Sequence, residues 1–228
     1  MNFGFYGDSK ACWAKNPIHG TISFIDKICK HFKSNLVNVG VPQGSEERAL
    51  TELKSTKKVD VAFIFHSRSS RFYIPQANRD IDIRDFNSFF ADTKAKYIWE
   101  NQKKIQDEFF DYGGIKEKFV SLEDFINTLS LYKKYLHDPD VHQNRWYGAL
   151  IQIDQFLTSK KIPAIHVIRK DLLPPWFKFN SGIVSYSIDE LFDEHHKIGL
   201  PNNVSIEGQD IIANALIPQV NALLKIKN

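Results

Sequence analysis

Phe-Gly-Phe-Tyr-Gly-Asp-Ser, residues 3–9, joins an apolar run to a polar tripeptide. The run predicts a short buried strand over residues 2–6, and Gly7-Asp8-Ser9 follows it directly. If a helix comes next, such a strand presents its serine hydroxyl at the carboxyl edge of a sheet, where open α/β sheets bind their ligands. Gly, Asp and Ser are also common turn formers, so an ordinary turn is the alternative interpretation of the tripeptide alone.

Strand and helix patterns alternate after this start. Residues 36–39 and 59–65 predict a second and a third strand, and the third is apolar almost throughout, as is typical of parallel strands buried on both faces. Residues 18–33 place apolar side chains at helical spacing, and Ser45 followed by two acidic residues predicts the start of another helix. The β-α-β-α-β order predicts a parallel sheet with right-handed crossovers.

The middle of the chain shows no strong strand signal from residue 66 to about residue 143. Amphipathic patterns over residues 85–110 and 121–137 predict a helical insertion, at about residues 77–143, rather than a separate domain. Beyond it, the sequence predicts a helix, two strands and a last helix, at residues 144–158, 162–168, 183–186 and 207–224, with a kink at Pro218. We therefore predict one α/β domain over residues 1–228.

Composition argues against several classes of protein. Of the 228 residues, 43% are hydrophobic and 25% charged, as in ordinary globular proteins. The net charge of +3, without a dense basic run, argues against a nucleic-acid partner. Because no apolar run approaches about 18 residues and no signal-peptide pattern occurs, we expect no membrane span and a cytoplasmic location. The two cysteines indicate neither a disulfide framework nor a zinc site, so we expect no metal and no cofactor.

Three short motifs occur in the order, and on the elements, of the SGNH (GDSL) hydrolases. Gly7-Asp8-Ser9 resembles block I, and Gly40, after the second strand, resembles block II, where a glycine N–H helps to form the oxyanion hole. Residues 205–213 resemble the start of the last helix, just behind the catalytic histidine. The resemblance implies a three-layer α/β/α fold whose five-stranded parallel sheet has flavodoxin-like order, with the helical insertion between the third and fourth strands.

The resemblance implies hydrolysis of a small acyl ester, for example an O-acetyl group on a carbohydrate. Ser9 would be the nucleophile, and the N–H groups of Ser9 and Gly40 would bind the developing oxyanion. Such a donor contributes a few kcal/mol to transition-state stabilisation. The serine also needs a histidine to take its proton and an acid to orient that histidine.

The third block departs from the family. Where the family carries Gly-x-Asn-Asp after the third strand, this chain has His-Ser-Arg-Ser at residues 66–69. The side chains of His66, Ser67 or Arg68 could donate to the oxyanion instead, and a solvated loop is the equal alternative. Residues 68–73 mix charged and aromatic side chains and are expected to face Ser9. The predicted substrate contacts are Asp8, His66, Arg68 and Arg71.

The general base is the second departure. Alignment on Gly208 places Asn203 at the position of the family's histidine, and an asparagine amide has no basic lone pair near neutral pH. An Asp-x-x-His sequence occurs slightly upstream, at Asp193 and His196. These two residues would form the activating pair if residues 197–203 are an inserted loop. A charged, solvated helix end is the alternative for this segment.

The departures leave a second hypothesis open, that the chain is a catalytically inactive protein of the same fold. Its role would then be binding or structural, for example as a virion or assembly component encoded by a bacteriophage, and its protein partners stay open.

The interpretation of His166 is independent of this choice. It lies inside an apolar strand, which is more typical of a hydrogen-bonded core histidine than of a ligand-binding residue.

Overall fold

The structure is a computed structural model that describes residues 1–8, 11, 22–40, 44–69, 71–74, 79–82, 127, 131, 135, 138–185, 190–191 and 205–227. The strands within these ranges are β1 (Asn2–Gly7), β2 (Asn35–Asn38), β3 (Val61–Phe65), β4 (Arg71–Ile74), β5 (Arg79–Asp82), β6 (Ala164–Val167) and β7 (Gly182–Ser185). The helices are α1 (Phe24–His31), α2 (Glu46–Ser55), α3 (Pro139–Ser159) and α4 (Ile206–Lys227).

Five of the strands form one parallel sheet in the order β2-β1-β3-β6-β7. The predicted five-stranded parallel sheet is thereby confirmed. The central strand β3 is buried at every position, as its continuous apolar sequence predicts. Its Phe63 ring stacks on that of Phe5 in β1, with centroids 4.2 Å apart.

Helices cover both faces of this sheet. Phe3, Phe5 and Phe63 point to one face, where they share a buried apolar cluster with side chains of α1 and α4. Tyr6 and Ile64 point to the other face, where they pack with α2 and α3. Neighbouring residues of β1 therefore enter opposite clusters, which follows from the two-residue period of a strand.

Capping residues fix where three helices begin. Ser23 and Asp26 form a reciprocal capping box at the start of α1. The predicted cap at Ser45 is confirmed, since its hydroxyl accepts a hydrogen bond from the Arg48 amide at the start of α2. Asp138 caps α3, which therefore begins at Pro139 rather than at the predicted residue 144. The last helix, α4, continues past Pro218 to Lys227.

A short antiparallel hairpin corrects the sequence prediction for the middle of the chain. Strands β4 and β5 pair in a register that sets Arg71 opposite Asp82 and Ile74 opposite Arg79. No strand was predicted here, and β5 lies inside the segment predicted to be helical. Residues 79–82, Arg-Asp-Ile-Asp, alternate only briefly between polar and apolar types, so the strand signal is weak. The helices predicted over 85–110 and 121–137 lie outside the described residues, apart from positions 127, 131 and 135.

Long apolar helices are not a feature of the described ranges. None of the helices there is both long enough and apolar enough to cross a membrane.

Candidate functional site at the carboxyl edge of the sheet

The first strand ends in a turn that only glycine can make without strain. Gly7 has a φ of +109°, and a Cβ atom built on it would lie 2.0 Å from the carbonyl oxygen of Phe65 in the neighbouring strand. The chain then turns sharply, because the Asp8 amide donates to the same Phe65 oxygen and the Ala11 amide donates to the Asp8 carbonyl. Ser9, the predicted nucleophile, follows Asp8 in the sequence but lies outside the described residues.

Gly40 packs directly against that turn. A Cβ atom on Gly40 would lie 2.9 Å from the Gly7 carbonyl oxygen and 2.7 Å from Cβ of Ala11, so the two backbones approach as closely as glycine permits. The Gly40 amide donates to the Ala11 carbonyl at 3.0 Å. The N–H group predicted to bind an oxyanion thus already has an acceptor, and it would have to share or exchange that acceptor to serve this purpose.

Two of the predicted substrate contacts lie together. A guanidinium nitrogen of Arg71 is 3.7 Å from a carboxylate oxygen of Asp8, and both side chains are largely buried. The Arg71 amide donates to the Arg68 carbonyl at 3.1 Å, which connects the start of β4 to the segment that follows β3. The side chain of Arg68 is exposed. The hairpin therefore begins directly above the carboxyl ends of β1 and β3.

Side chains of α2 and α3 hold this region from behind. Arg145 of α3 forms an ion pair with Glu47 of α2 at 2.6 Å and also donates to the Arg71 carbonyl at 3.4 Å. Burial raises the pKa of the Glu47 carboxyl, and the charge of Arg145 opposes that shift. The indole N–H of Trp146, next along α3, donates to the Ser67 carbonyl at 3.0 Å. The segment that follows β3 is consequently bonded to α3 at two backbone carbonyls.

His66 lies beneath the edge and not on it. Its Nδ1 atom is 3.0 Å from Glu46 Oε2 and its Nε2 atom is 3.0 Å from Nδ1 of His166, so both ring nitrogens have protein partners. This arrangement favours a positioning role for His66 over direct contact with a substrate. Glu46 was not among the predicted site residues. Its place in the first turn of α2 was attributed only to the helix dipole, and its contact with His66 has no signal in the local sequence.

The buried polar side chains continue on the far side of His66. His166 Nε2 is 2.9 Å from the Ser181 hydroxyl, which donates to Asp154 at 2.6 Å. His166 is fully buried, which confirms its interpretation as a hydrogen-bonded core histidine. Its pKa is lowered well below the usual value, first because burial disfavours the charged ring and then because of the charge of His66.

The predicted base lies outside the described part of the chain. Asp193, His196 and Asn203 all belong to ranges that the structure does not describe. The helix expected behind them is present, because α4 begins at Ile206 and the Ser205 hydroxyl accepts from the Gly208 amide at 2.9 Å. Among the described residues, no group of three or more His, Cys, Asp and Glu side chains is placed to hold a metal ion.

Comparison with known proteins assigns no family to the chain. No family model matches the chain, and no curated protein and no solved structure is significantly similar to it.

Proposed function

We propose that the chain is a serine ester hydrolase of the SGNH type, with Ser9 as the nucleophile and a small acyl ester, such as a carbohydrate O-acetyl group, as the substrate. The packing of Gly40 against Gly7 supports this proposal most directly. An oxyanion bound by the Ser9 and Gly40 amides needs these two groups at one corner of the sheet. The backbone contact brings the turn that leads to Ser9 and the end of β2 to such a corner.

The strand order is a second support. In chain order, the strands of the large sheet run second, first, third, fourth and fifth, which is the order of flavodoxin-like doubly wound folds. Those folds bind ligands at the carboxyl ends of the first and third strands, where the direction of strand progression reverses. Asp8 follows the first strand here, and Arg68 lies in the segment after the third. The proposed substrate contacts therefore flank the expected ligand crevice.

The reaction would proceed through an acyl-enzyme. Ser9 Oγ adds to the ester carbonyl while its proton passes to His196, which Asp193 orients. The alkoxide leaves with that proton, and water then hydrolyses the acyl group by the same steps in reverse order. Arg68 and Arg71 would supply positive charge where negative charge develops, and the contact of the Arg71 guanidinium with the Asp8 carboxylate supports this role.

A binding protein with the same fold and no catalysis is the second candidate. The hydrogen bond from the Gly40 amide to the Ala11 carbonyl favours it, because a committed donor is a poor oxyanion ligand. Asn203 at the position of the family's histidine favours it as well. Such a protein would retain the ligand crevice and bind a glycan or a protein partner there without cleaving it.

Covalent labelling with a fluorophosphonate distinguishes the two candidates. The enzyme should gain the mass of one phosphonyl group on Ser9, and p-nitrophenyl acetate hydrolysis should fall by at least about 1000-fold in Ser9→Ala. Ser159→Ala is the matched control, since this exposed serine ends α3 and so lies at the opposite edge of the sheet. Equal hydrolysis rates for Ser9→Ala and the wild type would exclude Ser9 as the nucleophile.

The base is tested in the same assay. His196→Ala should lower the rate as strongly as Ser9→Ala, because members of a triad act as a unit. His31→Ala, a change of an exposed histidine at the end of α1, should leave the rate unchanged. An active protein whose rate does not respond to His196→Ala would need a different base.

A further inference from the structure

Five buried side chains form one continuous hydrogen-bonded chain beneath the carboxyl edge. The chain runs from Glu46 to His66, His166, Ser181 and Asp154, and its four links measure 3.0, 3.0, 2.9 and 2.6 Å. All five residues are at most 9% exposed. The hydrolytic mechanism uses none of them. Because these side chains are almost completely shielded from solvent, their donors and acceptors must be matched by other protein groups.

The Asp154 end fixes the direction of the hydrogen bonds. The Asp154 carboxylate accepts from the amides of Asn180 and Ser181, from the Asn180 side chain and from the Ser181 hydroxyl. Because all four of these partners donate, the Asp154 carboxylate acts here only as an acceptor. The single proton of the Ser181 hydroxyl is therefore used toward Asp154. Ser181 Oγ must then accept from His166.

His166 passes this direction on to His66. Since Ser181 needs a donor, the proton of a neutral His166 ring lies on Nε2, and its Nδ1 is an acceptor. Burial lowers the pKa of His166 and keeps the ring neutral, in agreement with this tautomer. The atom that faces Nδ1 of His166 is Nε2 of His66, which must donate.

The contact between His66 and Glu46 needs one proton more than a neutral His66 ring carries. Nε2 of His66 is already a donor, and Nδ1 faces Glu46 Oε2. We infer that His66 is a buried imidazolium, with protons on both ring nitrogens, and that its ion pair with Glu46 positions the backbone of Ser67 at the carboxyl edge. The charges balance, and Glu46 lies in the first turn of α2, where the helix dipole stabilises a carboxylate.

The positioning follows from the second oxygen of Glu46. Oε1 accepts from the Ser67 amide at 2.6 Å, while the Ser67 carbonyl accepts from Trp146 at 3.0 Å. Both backbone polar groups of Ser67 are thus held, one by α2 and one by α3. The residue that follows is Arg68, a proposed substrate contact. Positioning of Arg68 for catalysis rests on the proposed function, whereas the protonation of His66 and the fixing of Ser67 do not.

An aromatic ring seals the two histidines from solvent. Phe179 stacks on His166 with centroids 3.7 Å apart and on His66 with centroids 5.2 Å apart. The two imidazole planes are themselves nearly parallel, at 14°. Phe179 therefore keeps water away from this face of the two imidazole rings. The position of the proton between His66 and Glu46 is then determined by the protein partners.

Nitrogen NMR of imidazole-labelled protein near neutral pH tests the protonation state. Both ring nitrogens of His66 should show protonated-type shifts, and His166 should show one protonated nitrogen, Nε2. In Glu46→Gln the amide can donate to Nδ1 and still accept from Ser67, so His66 should lose one proton while the fold is kept. Glu52→Gln, on the same helix, is the control and should change neither ring. A neutral His66 in the wild type, or an unchanged His66 in Glu46→Gln, would overturn the inference.

Amide hydrogen exchange at Ser67 tests the positioning. Exchange should accelerate at least about 10-fold in Glu46→Ala, which removes the acceptor, and should be restored toward the wild-type rate in Glu46→Gln. Equal protection of the Ser67 amide in all three proteins would show that Glu46 does not position it. These readouts need no enzymatic activity. A protein that fails to hydrolyse esters but shows both signatures would disprove the proposed function and leave this inference standing.

Discussion

The Phe65 carbonyl oxygen lies 2.0 Å from the point where a Cβ atom on Gly7 would be. No side chain fits at that distance, and the φ of +109° at Gly7 is in a range that other residues avoid. We predict that Gly7→Ala lowers the free energy of unfolding by about 3 kcal/mol or more, which combines backbone strain with a displaced strand end. Urea denaturation followed by circular dichroism measures this loss.

Gly148→Ala is the control for that substitution. Gly148 lies inside α3, and among the described residues a Cβ atom there would meet nothing within 4 Å beyond its own turns of helix backbone. Alanine should raise the free energy of unfolding by about 0.5–1 kcal/mol, because glycine is a poor helix former. A similar change in stability for both variants would contradict the close approach of β1 and β3 at Gly7.

Stability should fall in mild acid because of His166. Its pKa is lowered in the folded protein by burial and by the neighbouring His66, so below about pH 6.5 the unfolded chain binds a proton that the folded one does not. The free energy of unfolding should therefore decrease as the pH falls below about 6.5, by at most about 1.4 kcal/mol per pH unit from this group.

His166→Gln removes that titration and keeps a donor and an acceptor in the side chain. Denaturation curves between about pH 5 and pH 7 should then show a shallower dependence than in the wild type. His31→Gln, at the exposed end of α1, should keep the wild-type slope. Parallel pH profiles for the wild type and His166→Gln would exclude His166 as the source.

Tyr6 should ionise later than an ordinary tyrosine. Burial, together with the charge of Glu52, raises its pKa to about 12, while the nearby Thr56 side chain opposes the shift. Since the unfolded chain releases this proton near pH 10, the stabilising contribution should be lost between about pH 10 and pH 12. Tyrosinate absorbance should show a late component that Tyr6→Phe removes and Tyr135→Phe, at an exposed position, retains. A titration without the late component would contradict the burial of the phenol.

Asp8 and Arg71 should be energetically coupled. Their side chains are only 13% and 17% exposed, so the ion pair is better shielded from water than most surface pairs. A double-mutant cycle with Asp8→Asn and Arg71→Gln should give a coupling of about 0.5–1 kcal/mol. The more exposed pair of Lys27 and Asp210, between α1 and α4, should give less. Equal coupling in the two cycles would show that the Asp8 pair gains nothing from its burial.

The strands of the large sheet were predictable because each carries its own signal. Residues 61–65, Val-Ala-Phe-Ile-Phe, need a buried parallel environment whatever surrounds them. Residues 79–82 do not, since Arg-Asp-Ile-Asp is compatible with a helix, a loop or a strand, and its pairing with β4 decides the outcome. Tertiary context of this kind is absent from a local pattern.

The buried histidine pair was not predictable for a related reason. In the sheet, Ile64 of β3 lies opposite His166 of β6, and alternation along β3 turns His66 to the same face as Ile64. His66 and His166 are 100 residues apart in the sequence, and neither segment contains a pattern that predicts their contact. The position of Gly40 was easier to anticipate, because the resemblance to a known family implied that Gly40 lies close to Ser9, two residues after Gly7.

The hydrogen-bonded chain from Glu46 to Asp154 also bears on how the protein can be divided. Its members come from α2, the residue after β3, α3, β6 and the residue before β7, so neither half of the sequence contains a complete set of partners. A fragment that ends before α3 would lack His166, the acceptor of the His66 Nε2–H group, and a buried donor without a partner costs about 1–3 kcal/mol. Two fragments divided in the middle of the sequence should therefore fold only when mixed, and the intact protein should unfold in a single cooperative step.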